Sequence, residues 1–474
     1  MGAVVAKHKP RAGLRAHSLA VLAGRVSNML LTAASVFVLT RVMGQSEFGS
    51  FAAVFAITQA SVLAAVFGLD QIVIRELSKT SCPSVKRSIV YRYLSASVIP
   101  IAFFAVTTGV VFHLFGDVFV GQPVSLIAVL AIVLSTVVRA LTQLIGEICR
   151  ALDDPVVASL CSGLGGGPLA MAIFLATCVL IRFNDTIQWE AGVWIHATAG
   201  LVTATFGLVW ITALLRNPAS PSATDAEQPV GTRQFESASL RQMLFDYGFP
   251  VFLASGLGYV CQRSDIAIVS ILGTPIDVAL FEVATRLALL AALPMGIANT
   301  ILIPRIGRLL KEAPTELEIL LRTGASIATL ISLVACGFFL FAPEPILRIG
   351  FGQEYVAAAP LLIAILPGYL AFVLSGACGN VLIQGGRSWS VVINSLLCAI
   401  VASVGGVSSW YFFGAIGVAV TTSITMILQN SINWWIAYHI FDVKTQAYCS
   451  PKKFFQGIQK MMDIFSLSRL KETS

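Results

Sequence analysis

Four arginines stand where a chain this apolar should carry no charge. Arg25 is the one charged residue between Ser18 and Thr40, and Arg139, Arg263 and Arg286 occupy similar stretches of a 474-residue sequence that is 57% hydrophobic and 12% charged. A cation near a bilayer centre costs at least about 2.5–3.5 kcal/mol on insertion scales, so such residues face a protein interior or a water-filled path. A guanidinium presents fixed donors in a planar fork that binds phosphate bidentately. The pattern therefore points to an anion handled within the membrane. Arg25 and Arg263 are the leading candidate ligands, Arg139 a third, and Asn28 and Gln262 supply neutral hydrogen bonds beside them. The competing reading for each arginine is a packing role against a carboxylate or helix carbonyls.

Acidic residues accompany these cations at informative spacings. Glu282 precedes Arg286 by one helical repeat of four, in the favourable acid-first order, so a local pair is the default expectation. Such a pair can still line a cavity and change partners. Asp265 follows Arg263 by two positions and so points to a different helix face. It either bridges to another arginine such as Arg25 or carries a coupling proton or cation, as intramembrane carboxylates often do. Asp70, with Arg75 and Glu76, lies at the end of the second apolar stretch and reads as a structural or gating group.

The elements that must position these groups are long apolar helices. Hydrophobic runs mark about twelve spans, at 18–40, 48–70, 93–112, 122–146, 156–181, 190–214, 244–272, 279–303, 323–343, 357–383, 389–411 and 416–440. With both termini in the cytoplasm, only Arg41, Arg182 and Arg348 of the 31 Lys and Arg fall in outside loops, the bias expected of a multi-pass inner-membrane protein. That bias also accounts for the net charge of +7 through anionic lipid, with no need for nucleic acid.

The chain also resembles itself. Met43-Gly44, Phe51 and Arg75 recur as Leu272-Gly273, Phe281 and Arg305, and Leu126–Leu130 recurs as Leu362–Leu366. With six spans per half the repeats run parallel, which predicts an all-α protein of two six-helix lobes around a central cavity. The lobes are expected at 1–215 and 244–440, joined by a Pro- and Ser-bearing cytoplasmic linker at 216–243 and followed by a tail at 441–474. In the tail, Ser450 and Pro451 open an amphipathic helix with Phe454, Phe455, Ile458, Met461, Met462 and Phe465 on one stripe, expected to lie on the inner leaflet. The Gly163–Pro168 run lies inside an apolar span and reads as close packing or a hinge. Neither it nor any other segment supplies a Walker sequence, so ATP hydrolysis is not expected; the nine cysteines form no CxxC and the five histidines are scattered, so neither a metal site nor a cofactor is expected.

On these residues a family resemblance can be stated. Leu22–Leu77 (LAGRVSNMLLTAASVFVLTRVMGQSEFGSF and onward), Ser239–Val269 (SLRQMLFDYGFPVFLASGLGYVCQRSDIAIV) and Phe351–Leu396 (FGQEYVAAAPLLIAILPGYLAF and onward) resemble polysaccharide flippases of the multidrug/oligosaccharidyl-lipid/polysaccharide exporter superfamily. The resemblance implies a flippase that moves an undecaprenyl-pyrophosphate-linked oligosaccharide from the cytoplasmic to the periplasmic leaflet for O-antigen, exopolysaccharide or capsule synthesis. It implies polymerase or assembly proteins as partners, and the placement of Arg25 and Arg263 matches arginines that related lipid II flippases carry in the first helices of both lobes. A cation-coupled drug exporter of the same superfamily, a membrane enzyme and an assembly scaffold are the alternatives.

Overall fold

A backbone in hydrocarbon must satisfy its own polar groups, which leaves the helix as the ready solution for so apolar a chain. In a computed structural model, which describes residues 11–77, 82–152, 154–163, 166–181, 187–216, 249–448 and 450–461, every regular element among the described residues is helical. Side chains are described at all of these except 11–23, 25, 26, 29, 71, 75, 250, 251, 253–255, 261, 262 and 304. The expected linker and the last part of the expected tail helix lie outside the described residues.

The first half holds α1 (Arg11–Val42), α2 (Gln45–Val66), α3 (Leu69–Leu77), α4 (Pro83–Val120), α5 (Leu126–Ala151), α6 (Pro155–Cys161), α7 (Gly167–Ile181) and α8 (Trp189–Arg216). The second holds α9 (Phe249–Leu272), α10 (Pro275–Glu312), α11 (Pro314–Phe341), α12 (Pro343–Gly350), a 3-10 turn (Gln353–Ala358), α13 (Ala359–Ser375), α14 (Cys378–Gln384) and α15 (Ser388–Phe441). A last helix, α16, covers 451–461. Among the described residues, seven helical segments are long and apolar enough to cross a membrane, or eight if the bent pair Pro275–Ile303 and Arg305–Glu312 is one crossing. Side chains such as Phe103, Phe338, Phe341 and Ile400 project outward and exposed, as lipid-facing residues do.

The expected spans fall on these helices, with four physical corrections. The span at 156–181 is broken between α6 and α7, where Gly163, Gly166 and Gly167 take positive φ and a Cβ at Gly167 would lie 2.5 Å from the Leu160 carbonyl oxygen. The second span ends early, because Phe67 and Gly68 take positive φ and turn the chain into α3, which carries Asp70. The span at 357–383 does not break at Pro367, which lies inside α13; it breaks at Gly376. Ser423 explains the first half of that observation, since its hydroxyl receives the Gly368 N–H at 3.0 Å and donates to the Ala364 carbonyl at 2.6 Å. The last two expected spans form α15, which turns at Gly414 (φ 60°) so that Asn394 of one arm meets Asn433 of the other at 2.9 Å.

A buried strap follows α15. The Thr445 hydroxyl donates to the Ser375 carbonyl at 2.7 Å and the Ala447 N–H to the Leu374 carbonyl at 3.0 Å, satisfying groups freed by the α13 break. At Gly376 (φ +71°) a Cβ would lie 2.2 Å from the Thr445 carbonyl oxygen, so only glycine fits beneath the strap. Arg322 of α11 covers the Tyr448 ring at 4.3 Å and holds the strap from the other side.

The two halves meet tightly at the end where α1 turns into α2 and α9 into α10. Phe37 stacks on Phe351 with centroids 4.4 Å apart, Phe48 meets Tyr355 edge-on, and Arg41 donates to the carbonyls of Ile349 and Gly350. Gly49 lets α2 reach the start of α10, where an added Cβ would lie 1.7 Å from the Pro275 carbonyl oxygen. Toward the other end Phe67 stacks on Phe252, so α2 and α9 stay together. Beside α1 at this end lies a cavity of about 380 Å³ walled mainly by α1, α2, α5 and α6, which Thr300 of α10 reaches from the second half. Replacing Gly49 with leucine should therefore loosen the closed end: a short bis-maleimide should link Phe37→Cys to Phe351→Cys efficiently, and several-fold less efficiently once Gly49→Leu is added.

Candidate functional site

The charged groups of the second half converge because α9 and α10 are joined by a short turn and lie side by side. Thr274 caps α10 in a reciprocal capping box with Asp277, which fixes where that helix starts and hence where its inner face points. One turn further, Glu282 stands between two guanidiniums, with Arg286 Nε at 2.5 Å from Oε1 and Arg263 Nη1 at 3.4 Å from Oε2. The Glu282 and Arg286 side chains are buried, and Arg263 is about a fifth exposed at 21%. One carboxylate thus balances two cations. On α9 the Tyr259 hydroxyl donates to the Ala56 carbonyl of α2 at 2.6 Å, tying the site to the first half.

Arg263 and Arg286 border two cavities. One lies between the halves, holds about 60 Å³, and has Thr32 and Ser35 of α1, Phe51, Phe55 and Gln59 of α2, and Glu282 on its wall. The other is a chamber of about 430 Å³ among α9, α10, α13, α14 and the second arm of α15. Asp265 faces that chamber and is buried. It makes no ion pair among the described residues; its carboxylate accepts from the Ile266 N–H at 2.7 Å and from the Thr422 hydroxyl at 3.4 Å.

Arg139 lies elsewhere. It is buried within the first half, donates to the Thr58 hydroxyl at 2.8 Å and to the Gln59 side-chain oxygen, and lies 4.1 Å over the Phe55 ring. Phe55 and Gln59 line the cavity between the halves, so Arg139 supports its wall from behind. Gln143, on the same helix, reaches Asp70 at 3.1 Å. Asn28 lines the cavity of about 380 Å³ together with Glu147, Arg150 and Ser162, and it contacts the backbone of Gly163, where an added Cβ would come within 2.8 Å of its amide.

The side chains of Arg25 and Gln262 lie outside the described residues. Their helices still fix a depth. Arg25 lies 17 residues before Val42, the end of α1, and Arg263 lies 9 before Leu272, the end of α9. That difference of eight residues, at about 1.5 Å each, sets them about 12 Å apart in depth. The two positions are on equivalent helices but not at one level. Sequence reasoning also passed over Gln59, Tyr259, Asn299, Asn380, Gln429 and Asn430, whose signal was the presence of amides and a phenol inside apolar runs.

The polysaccharide biosynthesis protein family matches the chain over residues 14–310. No curated protein matches it in sequence. Among solved structures it is similar to an inward-facing multidrug resistance MATE family transporter of the MOP superfamily, with a TM-score of 0.66 at 14% identity over 89% of this chain and 98% of that one. It is also similar to the lipid II flippase MurJ in an inward closed conformation, with a TM-score of 0.64 at 12% identity over 96% and 92% of the two chains. An outward-facing MATE family transporter gives a lower TM-score of 0.55.

Removing the shared carboxylate leaves two buried cations facing each other. Glu282→Ala is expected to lower stability by about 3–5 kcal/mol, the usual cost of breaking a buried pair. Adding Arg286→Met should recover a large part of that loss, as read by thermal unfolding of the purified protein.

Proposed function

The chain belongs to the polysaccharide biosynthesis protein family, and from that premise we propose that it is a flippase for an undecaprenyl-pyrophosphate-linked oligosaccharide. It carries the head group from the cytoplasmic to the periplasmic leaflet of the inner membrane by alternating access of two six-helix lobes. The observation that carries this reading is the pair of guanidiniums that share the Glu282 carboxylate at the junction of two cavities, with Asp265 the further carboxylate on the chamber wall. A pyrophosphate competes with Glu282 for the two guanidiniums, with Arg263, the more exposed of the pair, making first contact.

The cavity beside α1 supports a lipid-linked substrate. A polar head cannot cross about 30 Å of hydrocarbon unaided, but it can travel inside while its tail stays in lipid through a lateral slot. Arg25, on α1 and deeper toward the open end, is the first cation such a head would meet. Placing the tight end at the periplasm follows from the scarcity of basic residues in its loops and makes this an inward-facing state. The greater likeness to an inward-facing than to an outward-facing transporter agrees with that assignment. Asp265, which makes no ion pair among the described residues, is the group available to take a coupling proton or cation. The helix at 451–461 leaves Lys452, Lys453 and Phe455 exposed, as suits the inner leaflet. Polymerase and assembly proteins are the expected partners.

A drug exporter for cationic substrates would favour an acidic cavity, whereas each carboxylate beside these two cavities has an arginine near it. Translocation of a fluorescent short-chain polyprenyl-pyrophosphate oligosaccharide in proteoliposomes is the test. Arg263→Gln and Arg286→Gln are each expected to slow it about tenfold or more, corresponding to a loss of about 1.4 kcal/mol or more. Unchanged rates in folded variants would overturn the anion site, and no transport by the wild type would favour a scaffold or an enzyme.

A further inference from the structure

The chamber in the second half is chemically unlike the cationic junction at its edge. Charge is confined to one end, at Arg263, Asp265 and Arg286, while the remainder carries amides, hydroxyls and rings, notably Asn299, Tyr369, Asn380, Gln429 and Asn430. Its volume of about 430 Å³ falls within the range of roughly 300–1,000 Å³ usual for small-molecule sites.

Three polar atoms on this chamber are buried with no hydrogen-bond partner: Thr285 Oγ1, Asn299 Oδ1 and Thr425 Oγ1. Thr285 and Thr425 are only 5% and 3% exposed, so bulk solvent does not reach them freely. These atoms are sealed from a water-sized sphere on the chamber side as well, so the groups that an occupant would meet are the other polar side chains of the lining, the amides of Asn380, Gln429 and Asn430 and the Tyr369 ring. The wall is also held in place independently of any occupant. Asn394 donates to the Gln429 carbonyl and to Asn433 Oδ1, both at 2.9 Å, and clamps the two arms of α15 together.

The complement of this lining is an uncharged molecule rich in hydroxyls. Amide and hydroxyl side chains both donate and accept, as sugar hydroxyls do, and the rings of Tyr369 and Phe372 offer flat faces to the apolar side of a pyranose. A lipid tail would leave the amides that face the chamber without partners. A second anion would find no cation at the amide end. Hydroxyls that reproduce the bonds of water can take its place in such a site without loss.

We propose that the chamber is a neutral-sugar subsite, holding the uncharged sugar next to the pyrophosphate while Arg263 and Arg286 hold the anion at its mouth; the sugar's link to pyrophosphate rests on the flippase reading above. Specificity for the glycan then resides in α10, α14 and the second arm of α15, and affinity for the carrier in the arginines.

The test places a reporter at Leu289, which lines the chamber and offers no hydrogen bond. Leu289→Cys in the full chain, in lipid nanodiscs, is alkylated with a small neutral maleimide, and modification at position 289 is followed by peptide mass spectrometry. Free glucose, rhamnose and N-acetylglucosamine are the sugar probes, inorganic pyrophosphate the anion probe, and glycerol the osmotic control. At least one sugar is expected to slow alkylation several-fold beyond glycerol. Asn380→Leu and Asn430→Leu should each raise the sugar concentration needed by about tenfold while leaving pyrophosphate binding unchanged. Thr285→Val, which removes no internal hydrogen bond and whose hydroxyl is closed off from the chamber, is the folded control and should leave protection unchanged. If no sugar protects while pyrophosphate binds, or if protection survives both asparagine substitutions, the subsite is overturned and the flippase reading stands. If sugars protect but pyrophosphate does not bind, the subsite stands and the anion site falls.

Discussion

A single carboxylate shared by two guanidiniums sets the terms for the rest of this molecule. Glu282 neutralises Arg286 on its own helix and reaches across to Arg263 on the preceding one. Were it paired with one arginine alone, the unit would be closed and electrically silent. With two, the helices α9 and α10 are locked at a fixed spacing, and each guanidinium keeps donors that Glu282 does not use. A low-dielectric setting makes those charges effective at close range, and their position at the meeting point of two cavities makes them accessible.

The two ends of the molecule are built from different physics. The tight end relies on ring stacking, on close backbone approach at Gly49, and on Arg41 capping the carbonyls that end α12. These are short-range contacts that vanish after a displacement of a few ångströms, so the end can open without a large electrostatic penalty. The other end is asymmetric. Aromatic contacts at Phe67 and Phe252 keep α2 beside α9, whereas α1 leans on α6, with Gly24 against Ser159, and a cavity opens beside it. A rocking motion would therefore pivot about the α2–α9 side.

Much of this was legible in the sequence, and the exceptions have a common cause. Apolar runs and Lys/Arg asymmetry locate helices because both depend on local composition. The Glu282–Arg286 contact was readable for the same reason, four positions on one helix. Arg139 was not, since Thr58 and Gln59 lie some eighty residues away in sequence and their hydroxyl and amide carry no charge signature. The relative depth of Arg25 and Arg263 depends on counting back from helix ends, which periodicity leaves uncertain by about 2–4 residues. The chamber was invisible for the strongest form of this reason. Its amides come from α10, α14 and α15, and none is conspicuous until those helices are brought together.

The strap at Thr445 and Ala447 gives the order of synthesis a structural meaning. It closes the carbonyls of Leu374 and Ser375 at the break above the chamber, and it is translated after every helix that it joins. Until it emerges, α13 and α14 are threaded into the bilayer with an open joint between them, and the chamber has no lid over its break. The second half is thus finished last at its most polar point, so quality control acting on the nascent chain would encounter a membrane domain whose helices are in place before its interior is sealed.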